Sequence, residues 1–177
     1  MTHSFYIIRM WVKFRMSNYV VLMRFDEKTE DKIVKIRKLM TDAGYPVPEW
    51  PPHITIAAYE NIDIDLLCEW TSEFTSTQNE KIEVALNSVS ILPPWGENSE
   101  TAVLCFNPAH SKPFIDFYYR FHGKHEEYCT GIGWFNSIAH ERPIIHATIG
   151  TVEIKELQKA IEIVFSNNVS EISNIQL

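Results

Sequence analysis

From Tyr19 to Phe25 the chain reads Tyr-Val-Val-Leu-Met-Arg-Phe, a β-branched and aromatic run that predicts a strand. Asp26 then caps a helical stretch in which Ile33, Ile36, Leu39 and Met40 recur at helical spacing. The stretch stops near Gly44, and Pro46, Pro48, Pro51 and Pro52 forbid its continuation. A second strand follows over His53–Tyr59. A helix is expected from Asp63 to about Thr77, with Leu66, Leu67, Trp70 and Phe74 on its buried face. Ile82, Val84 and Leu86 alternate, then Val89 and Ile91 do so, which predicts a strand with a bend. Pro93 to Gly96 reads as a turn and Ala102–Phe106 as a further strand.

The pattern then restarts. Lys112 to about Tyr128 is expected to be helical, with Phe114, Phe117, Tyr118 and Phe121 inward. A loop holding Gly131, Gly133 and Pro143 leads to a strand over Ile144–Ile149. Ile154–Phe165 reads as a helix with Leu157, Ile161 and Val164 inward, and Ser173–Leu177 as the start of a last strand. Both halves share one order: strand, helix, strand bearing His-x-Thr-Ile, helix, strand. That is a duplication of roughly 80–90 residues, read by pattern rather than identity. The expected fold class is α+β: a bilobal, duplicated fold of two antiparallel-rich sheets with helices on their outer faces. Residues 17–177 form one domain of intertwined lobes, with pseudo-repeats at about 17–92 and 100–177. Met1–Met16 reads as an N-terminal extension. The alternative is an added edge strand, since Ile7, Arg9, Trp11 and Lys13 share one parity.

Composition narrows the function. The 177 residues are 45% apolar and 22% charged, with a net charge of −7. Met1–Met16 carries Arg9, Lys13 and Arg15 but no acid, so the charge of the remainder falls by three, to −10. An acidic chain with no basic stripe does not grip long duplex nucleic acid through its phosphates. No apolar run approaches the roughly 18–20 residues of a membrane span, and no membrane partner is expected. Cys68, Cys105 and Cys129 are few, odd in number and widely spaced, which suits reduced thiols and a cytoplasmic location. A monomer is the expected state.

The chemistry concentrates in His53-Ile54-Thr55 and His146-Ala147-Thr148. Side chains alternate faces along a strand, so each His shares a face with its Thr, about 6.5–7 Å away, while Ile54 and Ala147 point oppositely. Two such strands related by pseudo-twofold symmetry would gather two imidazoles and two hydroxyls around one small anion. A phosphodiester fits that set. In-line displacement needs a base on the attacking oxygen and an acid on the leaving oxygen. With a pKa near 6.5, imidazole supplies either near neutrality. Each Thr hydroxyl can donate to a non-bridging oxygen as charge builds. No metal or other cofactor is required. A lone His-x-Thr is most often a structural residue pair; two at matching places in a repeat are not readily dismissed.

Pro52-His53-Ile54-Thr55-Ile56 and Ile145-His146-Ala147-Thr148-Ile149, with the histidines 93 residues apart, resemble the paired motifs of the two-histidine (2H) phosphoesterase superfamily. The opening strand and its Asp26-led helix resemble that family's 2′-5′ RNA ligase-like, cyclic phosphodiesterase branch. The resemblance spans about residues 17–177. It departs at Ile145, where a proline is common. It implies a central cleft faced by both motifs and metal-independent hydrolysis of a 2′,3′-cyclic phosphate, a 1″,2″-cyclic phosphate or a 2′-5′ linkage. His53 and His146 would be the acid–base pair, Thr55 and Thr148 the phosphate ligands, and the partner a cyclic nucleotide or short RNA end. The chain has no Lys-x-Asp-Gly and no G-x-x-x-x-G-K motif, so ATP-driven ligation has no machinery and hydrolysis is the expected direction.

Further candidates surround these motifs. Arg142, four residues before His146, and Arg24 could clamp phosphate, against the reading of ordinary surface charges. Tyr59 shares the parity of His53 and could line the cleft; Trp50, Trp95 and Trp134 could stack on a base or simply fill the core. Two rival readings stand. His122, His125 and Cys129 fall at i, i+3 and i+7 of the expected helix and, with His140, could form a zinc-dependent hydrolase site, although the spacing matches no strong zinc signature and suits a solvated, His-rich helix end better. The fold could also serve a non-catalytic binder of cyclic nucleotides or RNA ends, but a pure binder has no use for two proton-transfer groups.

Overall fold

The computed structural model describes residues 5–10, 18–78, 82–93, 100–140 and 143–166; for 5–10, 132 and 140 it describes the backbone alone. The fold is α+β, with two three-stranded antiparallel sheets and four α-helices among the described residues. Two compact units divide the chain, each assembled from three separate stretches.

The first unit takes residues Met1–Arg24, Ile54–Ile82 and His110–Ile145. Its sheet runs in the order β1 (Phe5–Met10), β2 (Asn18–Arg24), β3 (His53–Glu60). As the central strand, β2 is buried from Asn18 to Met23. A strand covered on both faces has no polar face to show, so its sequence is a continuous apolar run. Its outer backbone groups still need partners. Phe5–Met10 supplies them, pairing antiparallel from Phe5↔Met23 to Met10↔Asn18. The added-edge-strand reading of the basic start therefore holds over Phe5–Met10, while Trp11 and Lys13 lie outside the described residues.

Two helices, α2 (Ile64–Thr77) and α3 (Lys112–Phe121), complete this unit. Trp70, Phe74, Phe117 and Phe121 form its aromatic centre, with Phe74 meeting Phe117 and Phe121 edge-on at 5.3 and 5.0 Å. Such T-shaped contacts set positive ring edges against negative faces. Leu66 falls off the Leu67–Trp70–Phe74 stripe and is exposed, contrary to expectation. The third helix also ends seven residues early. Past Phe121 the chain turns at Gly123, takes a left-handed conformation at His125 (φ 63°), and makes one 3₁₀ turn over Glu126–Tyr128.

The second unit takes Phe25–His53, Glu83–Ala109 and His146–Leu177. Its sheet runs β4 (Leu86–Leu92), β5 (Thr101–Pro108), β6 (Ala147–Glu153). The expected bend in β4 is a bulge: Leu86 pairs with Pro108 and Ser88 with Asn107, leaving Asn87 as the extra residue. The helices α1 (Glu27–Asp42) and α4 (Leu157–Ser166) pack on each other and on β6. Ile33, Ile36, Met40, Leu104, Phe106, Ile149 and Val164 are buried here, but Leu39 faces out. One 3₁₀ turn, Ile154–Glu156, precedes α4.

At the start of α1, Asp26 accepts from the Thr29 N–H at 3.1 Å and from the Thr29 hydroxyl at 2.8 Å. It thereby satisfies one of the orphan donors of the first turn. Asp26→Ala should cost about 0.5–2 kcal/mol and Asp26→Ser much less. Denaturant titration of the two variants checks this; equal midpoints would show that the cap is idle. No described helix is long and apolar enough to cross a membrane. The strand expected at Ser173–Leu177 lies outside the described residues.

Candidate functional site

Two prolines, Pro51 and Pro52, hold the approach to β3 extended and donate no hydrogen bonds. His53 opens the strand. His53 and Thr55 are half-buried, while Ile54 and Ile56 between and after them are fully buried. The expected alternation therefore holds through Ile56. The His53 ring places Nδ1 2.7 Å from the Pro51 carbonyl oxygen. A carbonyl only accepts, so Nδ1 carries the hydrogen, and a neutral ring keeps its lone pair on Nε2. Trp50 lies against the same ring, with centroids 5.9 Å apart.

The second motif repeats this placement. His146 immediately precedes β6, which begins three residues later than expected, and Thr148 is the strand's second residue. Both are half-buried, while Ile145, Ala147 and Ile149 are buried. Thr148 stands opposite Cys105 on β5, and their side chains are hydrogen-bonded. Burial pushes the Cys105 thiol up to about 12, so it is a neutral partner for the Thr148 hydroxyl rather than a nucleophile. A register shift directly after Thr148 leaves Ile149 as an extra residue. Bulges of this kind re-aim neighbouring side chains.

One residue that sequence reasoning missed joins the two motifs inside the second unit. The buried guanidinium of Arg37, on α1, donates from Nη1 to the Trp50 carbonyl at 2.6 Å. From Nη2 and Nε it donates to the Thr148 carbonyl at 2.6 and 3.2 Å. Thus one cation holds the backbone three residues before His53 and two residues after His146. Desolvation lowers the Arg37 pKa to about 10, still far above neutrality. No carboxylate pairs with it among the described residues. Beside it, the Thr151 N–H donates to the Pro46 carbonyl at 2.8 Å. Gly150 allows this approach, since a Cβ there would stand 2.9 Å from the Pro46 oxygen. Arg37 and the proline-rich segment thereby cover the outer edge of β6. A signal was present: Ile33, Ile36, Arg37 and Met40 make one buried helical stripe, and a cation inside such a stripe needs a partner.

A groove of about 580 Å³ runs along α1 and this segment, with Val34, Val47, Pro48 and Trp50 among its walls. Glu30, Asp42 and Glu49 line it together with Arg37 and Lys38, so its walls carry both signs of charge.

The other candidates fare differently. Tyr59 does not line a cleft; it is fully buried. Beyond Ile56 both faces of β3 are covered, because the 126–137 loop packs against it. Asn136 Nδ2 donates to the Thr55 carbonyl at 3.3 Å, and a Cβ on Gly133 would stand 1.9 Å from the Ala58 oxygen. Only glycine permits that approach. Arg24, the last residue of β2, is half-buried. Trp134 is exposed and meets Phe135 edge-on. Arg142 and Trp95 lie outside the described residues, as does the His140 side chain.

The expected zinc set changes membership, because the helix meant to align it ends at Phe121. His125 turns away to meet Trp70, centroids 6.4 Å apart. In its place Glu126 joins His122 and Cys129, with one ligand atom from each within 4.8 Å of the others. His122 Nε2 lies 2.9 Å from the Ile56 carbonyl oxygen, and Nδ1 meets the Glu126 carboxylate. Burial would raise the Glu126 carboxyl, but bonds from His122 and Ser137 outweigh it and hold the carboxyl below its usual range.

No family model matches the chain, and no curated protein matches it. Among solved structures, it is similar to Usb1 from Kluyveromyces marxianus. Identity is 12% and the TM-score 0.45, over 90% of this chain and 84% of that one. The same protein with uridine monophosphate gives 12% identity and a TM-score of 0.44, over 90% and 83% of the two chains.

Proposed function

We infer that this chain is a phosphoesterase that hydrolyses a 2′,3′-cyclic phosphate, or a related cyclic or 2′-5′ phosphodiester, of a nucleotide or RNA end. The observation that supports it is the matched placement of two His-x-Thr pairs. Each imidazole and its hydroxyl are half-buried at the start of a strand whose intervening residues are buried. In hydrolysis, water attacks phosphorus as one imidazole takes its proton. The P–O bond to the leaving ribose oxygen breaks, and the other imidazolium protonates that oxygen. His53 and His146 divide these roles. The Pro51 bond to Nδ1 puts the neutral ring's lone pair on Nε2 of His53, the atom that exchanges the proton in either role. Thr55 and Thr148 donate to the non-bridging oxygens, where negative charge grows in the transition state. These four groups supply acid, base and anion ligands, so the reading calls for no catalytic metal.

The test is turnover by the purified chain of 2′,3′-cyclic mononucleotides, ADP-ribose 1″,2″-cyclic phosphate and 2′-5′ dinucleotides, without added metal. One class should be hydrolysed with a bell-shaped pH–rate profile, reporting one imidazole that must be neutral and one that must be protonated. Tight binding of a cyclic nucleotide without any product would replace the enzyme by a sensor.

A further inference from the structure

The 122–129 segment carries a polar cluster that phosphoester chemistry does not use. The His122 side chain is fully enclosed. Its Nε2 faces the Ile56 carbonyl, which can only accept, so Nε2 carries a hydrogen. Nδ1 faces a Glu126 carboxylate oxygen. A neutral ring of that tautomer turns a lone pair toward an anionic oxygen, so a cation must stand between them. At this close contact a proton fills that place; a metal ion bound to both atoms would replace it, with the two ligand atoms moving apart.

Two neighbours favour the metal. Cys129 is buried and places its sulfur within 4.8 Å of the other two ligand atoms. The Tyr59 hydroxyl, fully buried, has no hydrogen-bond partner among the described residues. Tyr59 follows Ala58, whose carbonyl lies against Gly133 beside the Cys129 side chain, and burial, then Cys129 and Glu126, raise the Tyr59 pKa. A bridging proton leaves this buried hydroxyl unsatisfied.

We propose that His122 Nδ1, Glu126 and Cys129 bind one zinc-like transition-metal ion, with the Tyr59 hydroxyl or a water in the fourth position. Imidazole nitrogen, carboxylate oxygen and thiolate sulfur are zinc donors. The Nε2–H bond to a backbone carbonyl is the outer contact that orients a metal-bound histidine. The other Glu126 oxygen accepts from the Ser137 hydroxyl and, at 3.2 Å, from the Ala139 N–H, which leaves Oε2 to the metal. Binding displaces the thiol proton and the proton shared by His122 and Glu126. A divalent ion then balances one thiolate and one carboxylate, leaving no net buried charge. The ion pins the 122–129 segment to β3 and has no part in phosphoester hydrolysis.

The test uses the full chain, prepared with zinc and, after chelation, with cobalt. About one metal per chain is expected, along with a near-ultraviolet thiolate-to-cobalt band. Zinc at a hundredfold excess over its Kd should raise the melting temperature by about 5–10 °C, and magnesium should not. Cys129→Ser should abolish the band and Cys68→Ser should keep it. A chain that folds free of metal, with no band and no thermal response to zinc or cobalt, overturns the proposal. So does a band that survives Cys129→Ser. If that variant fails to fold, the cobalt spectrum of the unaltered chain decides alone.

Discussion

Alanine at His53 or at His146 should each lower the turnover of the preferred cyclic phosphate by about 10²–10⁴-fold, the share that general acid or base catalysis usually supplies. The double variant should fall little further, because an acid and a base that act in one step lose their effect together. Each single variant should also lose one limb of the bell-shaped pH profile, the limb owned by the missing imidazole. That signature separates a proton-transfer role from damage to the fold. Both rings are half-buried at strand starts, so little packing is lost on truncation. Thr55→Val and Thr148→Val remove a donor to the developing charge and should cost about 10²–10³-fold, with the pH profile unchanged. Full turnover by either histidine variant would remove the mechanism at a stroke.

The parts of this picture that sequence could reach are those set by local geometry. Strand parity depends only on neighbouring peptides, so the half-buried face of His53 and Thr55 was legible from Pro52-His-Ile-Thr-Ile. So was the Asp26 cap, which needs nothing beyond Thr29. Tyr59 obeys the same parity yet is buried, because a loop some seventy residues on in the chain packs against that end of β3. No period within the strand could report that cover. The early end of α3 is similar. The expected helix reaches about Tyr128, but the His122 ring is committed to the Ile56 carbonyl and Glu126. The chain turns at Gly123 instead, and the lost helix takes the expected His125 ligand with it.

Arg37 shows the converse case, a residue whose role is written in long-range bonds, and its loss should have the largest effect on stability. Arg37→Leu strands the Trp50 and Thr148 carbonyls, which together accept three hydrogen bonds from the guanidinium. A buried acceptor left unmet costs about 1–3 kcal/mol. The leucine regains part of this by packing in the Ile33–Ile36–Met40 stripe. A net loss of about 2–4 kcal/mol is expected, or roughly 5–15 °C in melting temperature for a chain of this size. The neighbouring Lys38→Ala breaks an exposed pair with Asp42 and should cost under about 0.5 kcal/mol. Arg37→Lys keeps a charge, but its single ammonium lacks the fork that reaches both carbonyls. In that variant the segment before His53 and the strand bearing Thr148 are no longer held to one group. Misplacement by about 1 Å can cost 10²-fold in rate. The lysine variant should therefore lose kcat with little change in KM, whereas a purely structural residue would lower the amount of folded enzyme and leave the rate per folded molecule intact. Calorimetry together with active-site titration distinguishes the two. An Arg37→Leu protein that melts within 2 °C of the parent would show that β6 keeps its place without the guanidinium.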